Sequence, residues 1–497
     1  MVQGTGSSVG KSLLATALCR IFRQDGYNVA PFKAQNMSLN SFVTAGGAEI
    51  GRSQAVQAQA AGVPPTADMN PVLLKPEADY RSQLIVMGSP VGSYESKNFG
   101  RPRPGLWEVV ASSLDRLRSE FDVVVIEGAG SPAEINLRRG DIVNMEVALH
   151  AGSPVLLVGD IDKGGIFASL YGTVMLLSPE ERELVAGTVI NKFRGDVSIL
   201  LPGLGKLEEL TGVPVLGVVP YFDDIYVSEE DSPSVNSLER ADGALLDVAI
   251  IALPHISNFD DFDPLSQESG VGLRYVRSPG QLGRPDMVII LGTKTTTADL
   301  GHLRRTGLAD KIVSLAGDGV AVVGICGGLQ MLGRTVLDPD RVESDEPNVD
   351  DLGLLPVVTR FDAHKETHQV TGRVTADHGL LNGARGLEYD GYEIHMGSSI
   401  GSERHPFTLT SRSGVAAELG DGAISDDGWV LGTYVHGIFH SADLRRIMLR
   451  RVAERKGVSL PPGDHDFSQS AEYDKLADLF RANLEMKAVY RISGLKG

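Results

Sequence analysis

The chain has 497 residues, 58 of them glycine, with 42% hydrophobic content and a formal net charge of −18 at pH 7. That length carries two or three domains with full-sized cores, and the glycine-punctuated, moderately apolar composition excludes a disordered chain. The acidic balance argues against a nucleic-acid partner. Two cysteines cannot make a disulfide framework, and with no signal peptide and no apolar run near about 18 residues the expectation is a cytoplasmic chain with no membrane partner.

The chain opens almost on a phosphate loop, Gly4-Thr5-Gly6-Ser7-Ser8-Val9-Gly10-Lys11-Ser12. The ordinary P-loop spacing would put its first glycine at Thr5, so Gly4 makes this loop one residue longer. Backbone N–H groups of Gly4, Thr5, Gly6, Ser7, Val9 and Gly10 are expected to wrap the phosphates of ATP, with Lys11 on the β/γ oxygens and the Ser12 hydroxyl on Mg²⁺. Leu14, Ala17, Leu18, Ile21 and Phe22 follow at helical spacing, giving a helix whose N-terminus faces the phosphates. Only Met1 and Val2 precede Gln3, so the first strand is expected to be unusually short. The longer loop resembles that of the dethiobiotin synthetase group.

A short strand from Val29 ends in polar residues, among them Lys33, which is expected to touch the phosphoryl group in transit. By resemblance to the synthetase group, Glu49 is a Mg²⁺ ligand; the alternative is a solvated helix glutamate. Lys75 is open between a surface lysine and a substrate-carboxylate contact. Val123-Val124-Val125-Ile126 is a continuous apolar run that ends in Glu127, as in a parallel strand with a carboxylate at its carboxyl end, where open α/β sheets bind ligands. Glu127 is therefore the second expected carboxylate partner of Mg²⁺. Asn191-Lys192 follows the strand Thr188-Val189-Ile190 and resembles the nucleobase-reading dipeptide of related P-loop proteins.

Residues 222–246 are acidic and lack an apolar period, which marks a domain boundary. A second α/β series then runs through Met287-Val288-Ile289-Ile290-Leu291-Gly292 to Val320-Ala321-Val322-Val323 and Gly324-Ile325-Cys326-Gly327-Gly328-Leu329-Gln330. That order is strand, sharp turn, helix: the turn presents the thiol, and helix N–H groups steady an oxyanion. The stretch resembles the nucleophile elbow of class I glutamine amidotransferases. The acidic loop from Asp338 to Asp351 is expected on the surface, and Val370 to Ser399 is strand-rich. Among eleven histidines, His436 ends an apolar strand beside Gly437 and is the preferred base for Cys326, with His395 the runner-up. The resemblance places a glutamate two residues after the histidine, where this chain has Ile438. A Cys326–His436 dyad is expected unless a carboxylate from elsewhere orients the ring. Gly292, Gly327 and Gln330 are the expected oxyanion and glutamine-binding residues. The tail beyond His440 is largely helical, and Ala471 to Tyr490 is open between the two domains. There is no internal repeat.

A dethiobiotin-synthetase-like domain joined to an amidotransferase lacking the glutamate is similar to the plan of the cobyric acid synthase and cobyrinic acid a,c-diamide synthase families. Lys33 to Asn40, Met69 to Pro76, Gly159 to Ser169, Ile256 to Leu265 and Gly391 to Gly397 look like the first of these, whereas Thr293-Lys294-Thr295-Thr296-Thr297 departs from it. The resemblance implies a doubly wound parallel P-loop α/β domain over residues 1–228, a linker over 229–246, a class I amidotransferase α/β domain over 247–443 and a helical tail over 444–497. It also implies ATP- and glutamine-dependent amidation of the b, d, e and g carboxylates of a corrinoid, with Mg²⁺ as cofactor. The alternatives are a,c-diamide synthesis, or a P-loop ligase with a degenerate amidotransferase domain.

Overall fold

Runs such as Val123–Ile126 and Met287–Ile290 have no polar face, and a strand of that kind is at home in a parallel sheet covered on both sides. The structure, a computed structural model, describes residues 1–78, 81–95, 105–228, 243–344, 346–402, 404–462 and 468–496. It divides into two compact units, one comprising Met1–Ser38, Glu49–Glu230 and Ser468–Gly497, the other Leu39–Ala48 and Asp231–Phe467. Most of the expected linker, residues 229–242, lies outside the described residues.

In the first unit the parallel strands Val2–Gly4, Val155–Asp160, Val185–Phe193 and Val215–Pro220 lie side by side in that order. A parallel bridge between Val2 and Glu127 joins them to the pair Val123–Ile126 and Val29–Phe32. The expected short first strand is three residues long and sits inside the array. From it the chain first runs toward one edge and later, from Val155 onward, toward the other, so the phosphate loop leaves the sheet at the switch point where such folds bind ligands. Leu14, Leu18 and Ile21 of the helix Lys11–Gln24 pack in one core with Val125, Val158 and Val189. A smaller sheet holds Gln35–Met37, Val72–Ala78, Arg81–Val86 and Ser89–Glu95.

The helical tail divides. Ala442–Lys456 belongs to the second unit, whereas Gln469–Asn483 and Met486–Ile492 belong to the first. Tyr473, Leu476 and Phe480 enter the core of Leu14 and Ile21, Asp474 accepts from Arg20 Nε at 2.7 Å, and Leu484 bridges Gly217 on the edge strand. An edge strand left with open backbone groups is a liability, and the tail covers this one.

The second unit is built on a sheet in the order Val271–Val276, Leu246–Ile251, Met287–Ile290, Ala321–Ile325, Val430–Thr433 and Ala423–Ile424, parallel except for the last strand. The strand-rich stretch is the long antiparallel pair Val358–Val374 and Glu388–Ile400. Residues 39–48 join this unit although they precede most of the first in sequence: Val43 is buried with Tyr392 and Ile394, and its carbonyl accepts from the Gln369 side chain. Asp338, expected on a surface loop, is fully buried, because its carboxylate accepts from the N–H groups of Val342, Glu343 and Ser344 and holds that loop's turn. Among the described residues no helix is long and apolar enough to cross a membrane.

Candidate active sites

In the first unit the phosphate loop ends at Gly10, with φ of 100°, and this residue caps the helix Lys11–Gln24 without a side-chain bond. A glycine is required there for a second reason: a Cβ would lie 2.0 Å from Asn191 Nδ2. That amide donates to the Val9 carbonyl at 3.0 Å, and Lys192 Nζ donates to the Ser8 carbonyl at 2.8 Å and to Asp160 at 3.0 Å. Asn191 and Lys192 thus fasten the loop from below. Lys11 Nζ reaches the carbonyls of Gly6 at 2.8 Å and Gly130 at 3.1 Å, which places its charge across the loop's mouth.

Glu127 stands at the end of its strand, buried, and gathers the expected residues. It accepts from Ser12 Oγ at 2.8 Å, from Lys33 Nζ at 3.0 Å and from Gln57 Nε2 at 2.5 Å. Burial alone would raise its pKa, but the Lys33 charge and the three hydrogen bonds outweigh burial and hold it below the ordinary carboxylate range. Gln57 was not foreseen; its signal was a pair of glutamines, Gln54 and Gln57, three apart in the Ala-rich helix Arg52–Ala61 and both fully buried. Glu49 is no solvated helix glutamate. It lies in the strand Glu49–Gly51, fully buried, and Lys75, buried and not on the surface, donates to it at 2.8 Å. An oxygen set with Ser12 Oγ against Glu127 at the foot of a phosphate loop is the donor chemistry that Mg²⁺ takes.

In the second unit Cys326 follows the strand Ala321–Ile325 with φ of 55° and ψ of −111°, and the helix Gly327–Leu332 starts at once. A non-glycine residue held at positive φ is strained, and the elbow uses that strain to push the thiol out of the sheet. The strand Val430–Thr433 pairs with it in parallel, Ile325 opposite Thr433, and Cys326 N donates to the Thr433 carbonyl at 2.8 Å. Three residues later comes His436. Gly292 lies two residues past the neighbouring strand Met287–Ile290, and a Cβ there would lie 3.1 Å from His436 Cε1 and 3.3 Å from Cys326 Cβ. The three expected residues therefore converge, and glycine at 292 leaves the space between thiol and imidazole open to a substrate. Gly327 lies against Thr293, whose hydroxyl donates to the His255 carbonyl and to Asp299, so the threonine-rich segment is anchored by its side chains.

The expected dyad has a further partner. Asp261, fully buried on the short helix Phe259–Phe262, accepts from His436 Nδ1 at 2.8 Å and from Gly437 N at 2.7 Å. Burial would lower the pKa of His436, but the Asp261 carboxylate and the Cys326 thiol reverse this and raise it to about 10. The Tyr392 ring is stacked with His436 at 5.1 Å and 13°. Asp261 lies within the segment Ile256 to Leu265, where an aspartate after an apolar strand was its only signal. His395, the runner-up base, is turned elsewhere: its ring stacks on Tyr434 at 3.9 Å and Nδ1 meets the Gly397 carbonyl at 3.0 Å. Gln330 lies under the elbow, accepting from Thr296 Oγ1 at 2.9 Å and donating to the Met396 carbonyl at 3.0 Å.

Residues 1–234 match the CobQ/CobB/MinD/ParA nucleotide binding domain, and residues 247–444 match the CobB/CobQ-like glutamine amidotransferase domain. The chain is 50% identical over 494 residues to a cobyric acid synthase of Dehalococcoides mccartyi, an alignment that covers 99% of this chain and 97% of the relative. It is 51% identical over 511 residues to one of Sorangium cellulosum, covering 100% and 98%, and 49% identical over 502 residues to one of Moorella thermoacetica, covering 100% and 97%. With a phosphate loop in one unit, a cysteine elbow in the other and relatives of this likeness along its whole length, the chain belongs to the cobyric acid synthase family.

Proposed function

We propose that the chain uses ATP and glutamine to amidate the b, d, e and g side-chain carboxylates of adenosylcobyrinic acid a,c-diamide, giving cobyric acid. A carboxylate is a poor electrophile, so the first unit transfers the γ-phosphoryl group to it and makes an acyl phosphate. Lys11 and Lys33 balance the charge that develops, with Gly4, Thr5, Gly6, Ser7, Val9 and Gly10 supplying the loop that holds the phosphates and Asn191 fastening it. Ser12 and Glu127 would hold Mg²⁺, which when bound neutralises phosphate charge as a Lewis acid. A metal role for Glu49 requires its pair with Lys75 to open.

In the second unit His436, its pKa raised by Asp261 and Cys326, holds the proton given up by Cys326 as an imidazolium, and the thiolate sulfur attacks the glutamine amide carbon. N–H groups at Gly292 and Gly327 receive the oxyanion, and Gln330 keeps the helix behind the elbow in place. His436 returns the proton to the leaving nitrogen, ammonia departs, and water hydrolyses the thioester to glutamate. Ammonia then displaces phosphate from the acyl phosphate. The observation that carries this half of the reading is the convergence of Cys326, His436 and Gly292 at adjacent strand ends. A cytoplasmic location suits a chain whose two cysteines, Cys19 and Cys326, are both free.

The test is incubation with ATP, Mg²⁺, glutamine and either adenosylcobyrinic acid a,c-diamide or cobyrinic acid, followed by mass spectrometry. Successive small mass decreases on the diamide are expected. Conversion of cobyrinic acid alone would move the assignment to a,c-diamide synthesis.

A further inference from the structure

We propose that Asp261 is the positioning carboxylate of the glutaminase centre, supplied from the end of a different strand in place of a residue two positions beyond the histidine. The proposal rests on the reading of Cys326 and His436 as glutaminase residues. Position 438 cannot take this part, since Ile438 is fully buried in the apolar core of the unit. Asp261 instead comes from the segment that follows the strand Leu246–Ile251.

Both oxygens of the carboxylate are committed, Oδ2 to His436 Nδ1 at 2.8 Å and Oδ1 to Gly437 N at 2.7 Å. Two bonds to adjacent residues fix the carboxylate's plane as well as its distance, so the ring is held in orientation and in tautomer. A neutral imidazole has one N–H. With that proton on Nδ1 facing Asp261, the Nε2 lone pair is left toward the thiol side, where Gly292 lies between His436 and Cys326. The proton that leaves Sγ therefore goes to Nε2, and Asp261 stabilises the resulting imidazolium without itself taking a proton.

The surroundings are built to the same end. Tyr392 is stacked with the ring, and its backbone exchanges two hydrogen bonds with His436, at 2.9 and 3.1 Å. Its hydroxyl accepts from Asn258 Nδ2 at 2.9 Å, and the Asn258 carbonyl accepts from Asp261 N at 3.3 Å. Asn258, at φ of 56°, thus links the residue stacked on the ring to the residue bonded to its edge. On the short helix Phe259–Phe262 the other acid is Asp260, whose carbonyl lies 3.2 Å from His440 Nε2.

The experiment measures glutamine hydrolysis by the full chain as wild type, Asp261→Asn, His436→Ala and the double variant, with ammonium-driven synthesis and circular dichroism on the same preparations. Asparagine fits the space but offers Nδ1 a donor and favours the wrong tautomer. Asp261→Asn is expected to lower kcat by at least about thirtyfold with KM within about threefold, and to cost less than about threefold when added to His436→Ala, because a positioning residue acts only through the ring it positions. A smaller loss in the single variant, or a further equal loss in the double variant, overturns the proposal. Should the asparagine chain not fold, wild type gives a second readout: a far-downfield proton resonance from His436 Nδ1–H, removed in His436→Ala, whose absence overturns the proposal too. Retained glutaminase activity in His436→Ala would instead defeat the underlying reading of the site.

Discussion

At their candidate sites the two units match buried carboxylates with different partners. In the first, Glu127 and Glu49 are each matched by a lysine at hydrogen-bonding distance, Lys33 at 3.0 Å and Lys75 at 2.8 Å, and Glu127 is held ionised. In the second, Asp261 is matched by His436 at 2.8 Å and Glu393 by Arg412 at 2.8 Å, while burial raises Asp421 to about 6, Glu343 to about 7 and Asp351 to about 8. The difference follows from the chemistry each unit performs. Phosphoryl transfer needs fixed positive charge around a phosphate, so charges are installed and balanced in advance. Thiol chemistry needs one proton moved over a short distance, a task suited to a single aspartate–histidine pair.

The largest effect is expected at Lys11. Lys11→Ala is expected to lower synthesis by about 10³-fold or more with either glutamine or ammonium, since no other group on the loop replaces its charge; retained ammonium-driven synthesis would show that the phosphate loop is not the ATP site. Ile438→Glu puts a carboxylate at the position where the resemblance expects one. Because Ile438 is fully buried in the core and Asp261 already holds the imidazole, this change should destabilise by about 4 kcal/mol, read in a urea titration, and should not raise glutaminase activity. Lys33→Met removes one member of a buried pair and should cost about 3 kcal/mol of stability in the same assay, by leaving Glu127 with hydrogen bonds alone.

The smallest effect concerns Asp351. Its folded pKa is raised to about 8 from 3.8, chiefly by burial, so the folded chain binds the proton more tightly than the unfolded chain between those values. Stability must therefore fall as pH rises through that window. Asp351→Asn should remove this fall and stabilise the chain by about 1 kcal/mol at alkaline pH, while changing little at low pH. An unchanged slope of stability against pH would show that Asp351 does not titrate there.

What was legible in the sequence was contiguous. The phosphate loop, the helix after it, Glu127 at the end of Val123–Ile126 and the elbow at Cys326 each lie within one short stretch, where local backbone geometry and side-chain chemistry coincide. His436 could be found because it follows an apolar strand, Val430–Thr433, by three residues, and the segments past strand ends are where parallel sheets collect their functional groups. Asp261 could not be assigned because it reaches His436 across 175 residues of chain, and nothing local distinguishes it from Asp260 or Asp263. The same limit applies to tertiary placement. Residues 39–48 and the division of the tail depend on which apolar surface is left open by other elements, as Val43 on Tyr392 and Phe480 beside Leu14 illustrate. Asp338 misled for a further reason: an acidic run suggests solvent, but three backbone N–H groups make a buried site for this one carboxylate.

On the proposed reading the two units hold chemically separate half-reactions, nitrogen release at Cys326 and carboxylate activation at Lys11. Cys326→Ala, incubated with ATP, Mg²⁺ and adenosylcobyrinic acid a,c-diamide, tests it directly when the products are followed by mass with glutamine in one reaction and high ammonium in the other. The expected result is no amidation with glutamine and near wild-type amidation with ammonium. Loss of both in a folded variant, or retention of the glutamine-driven reaction, would contradict it.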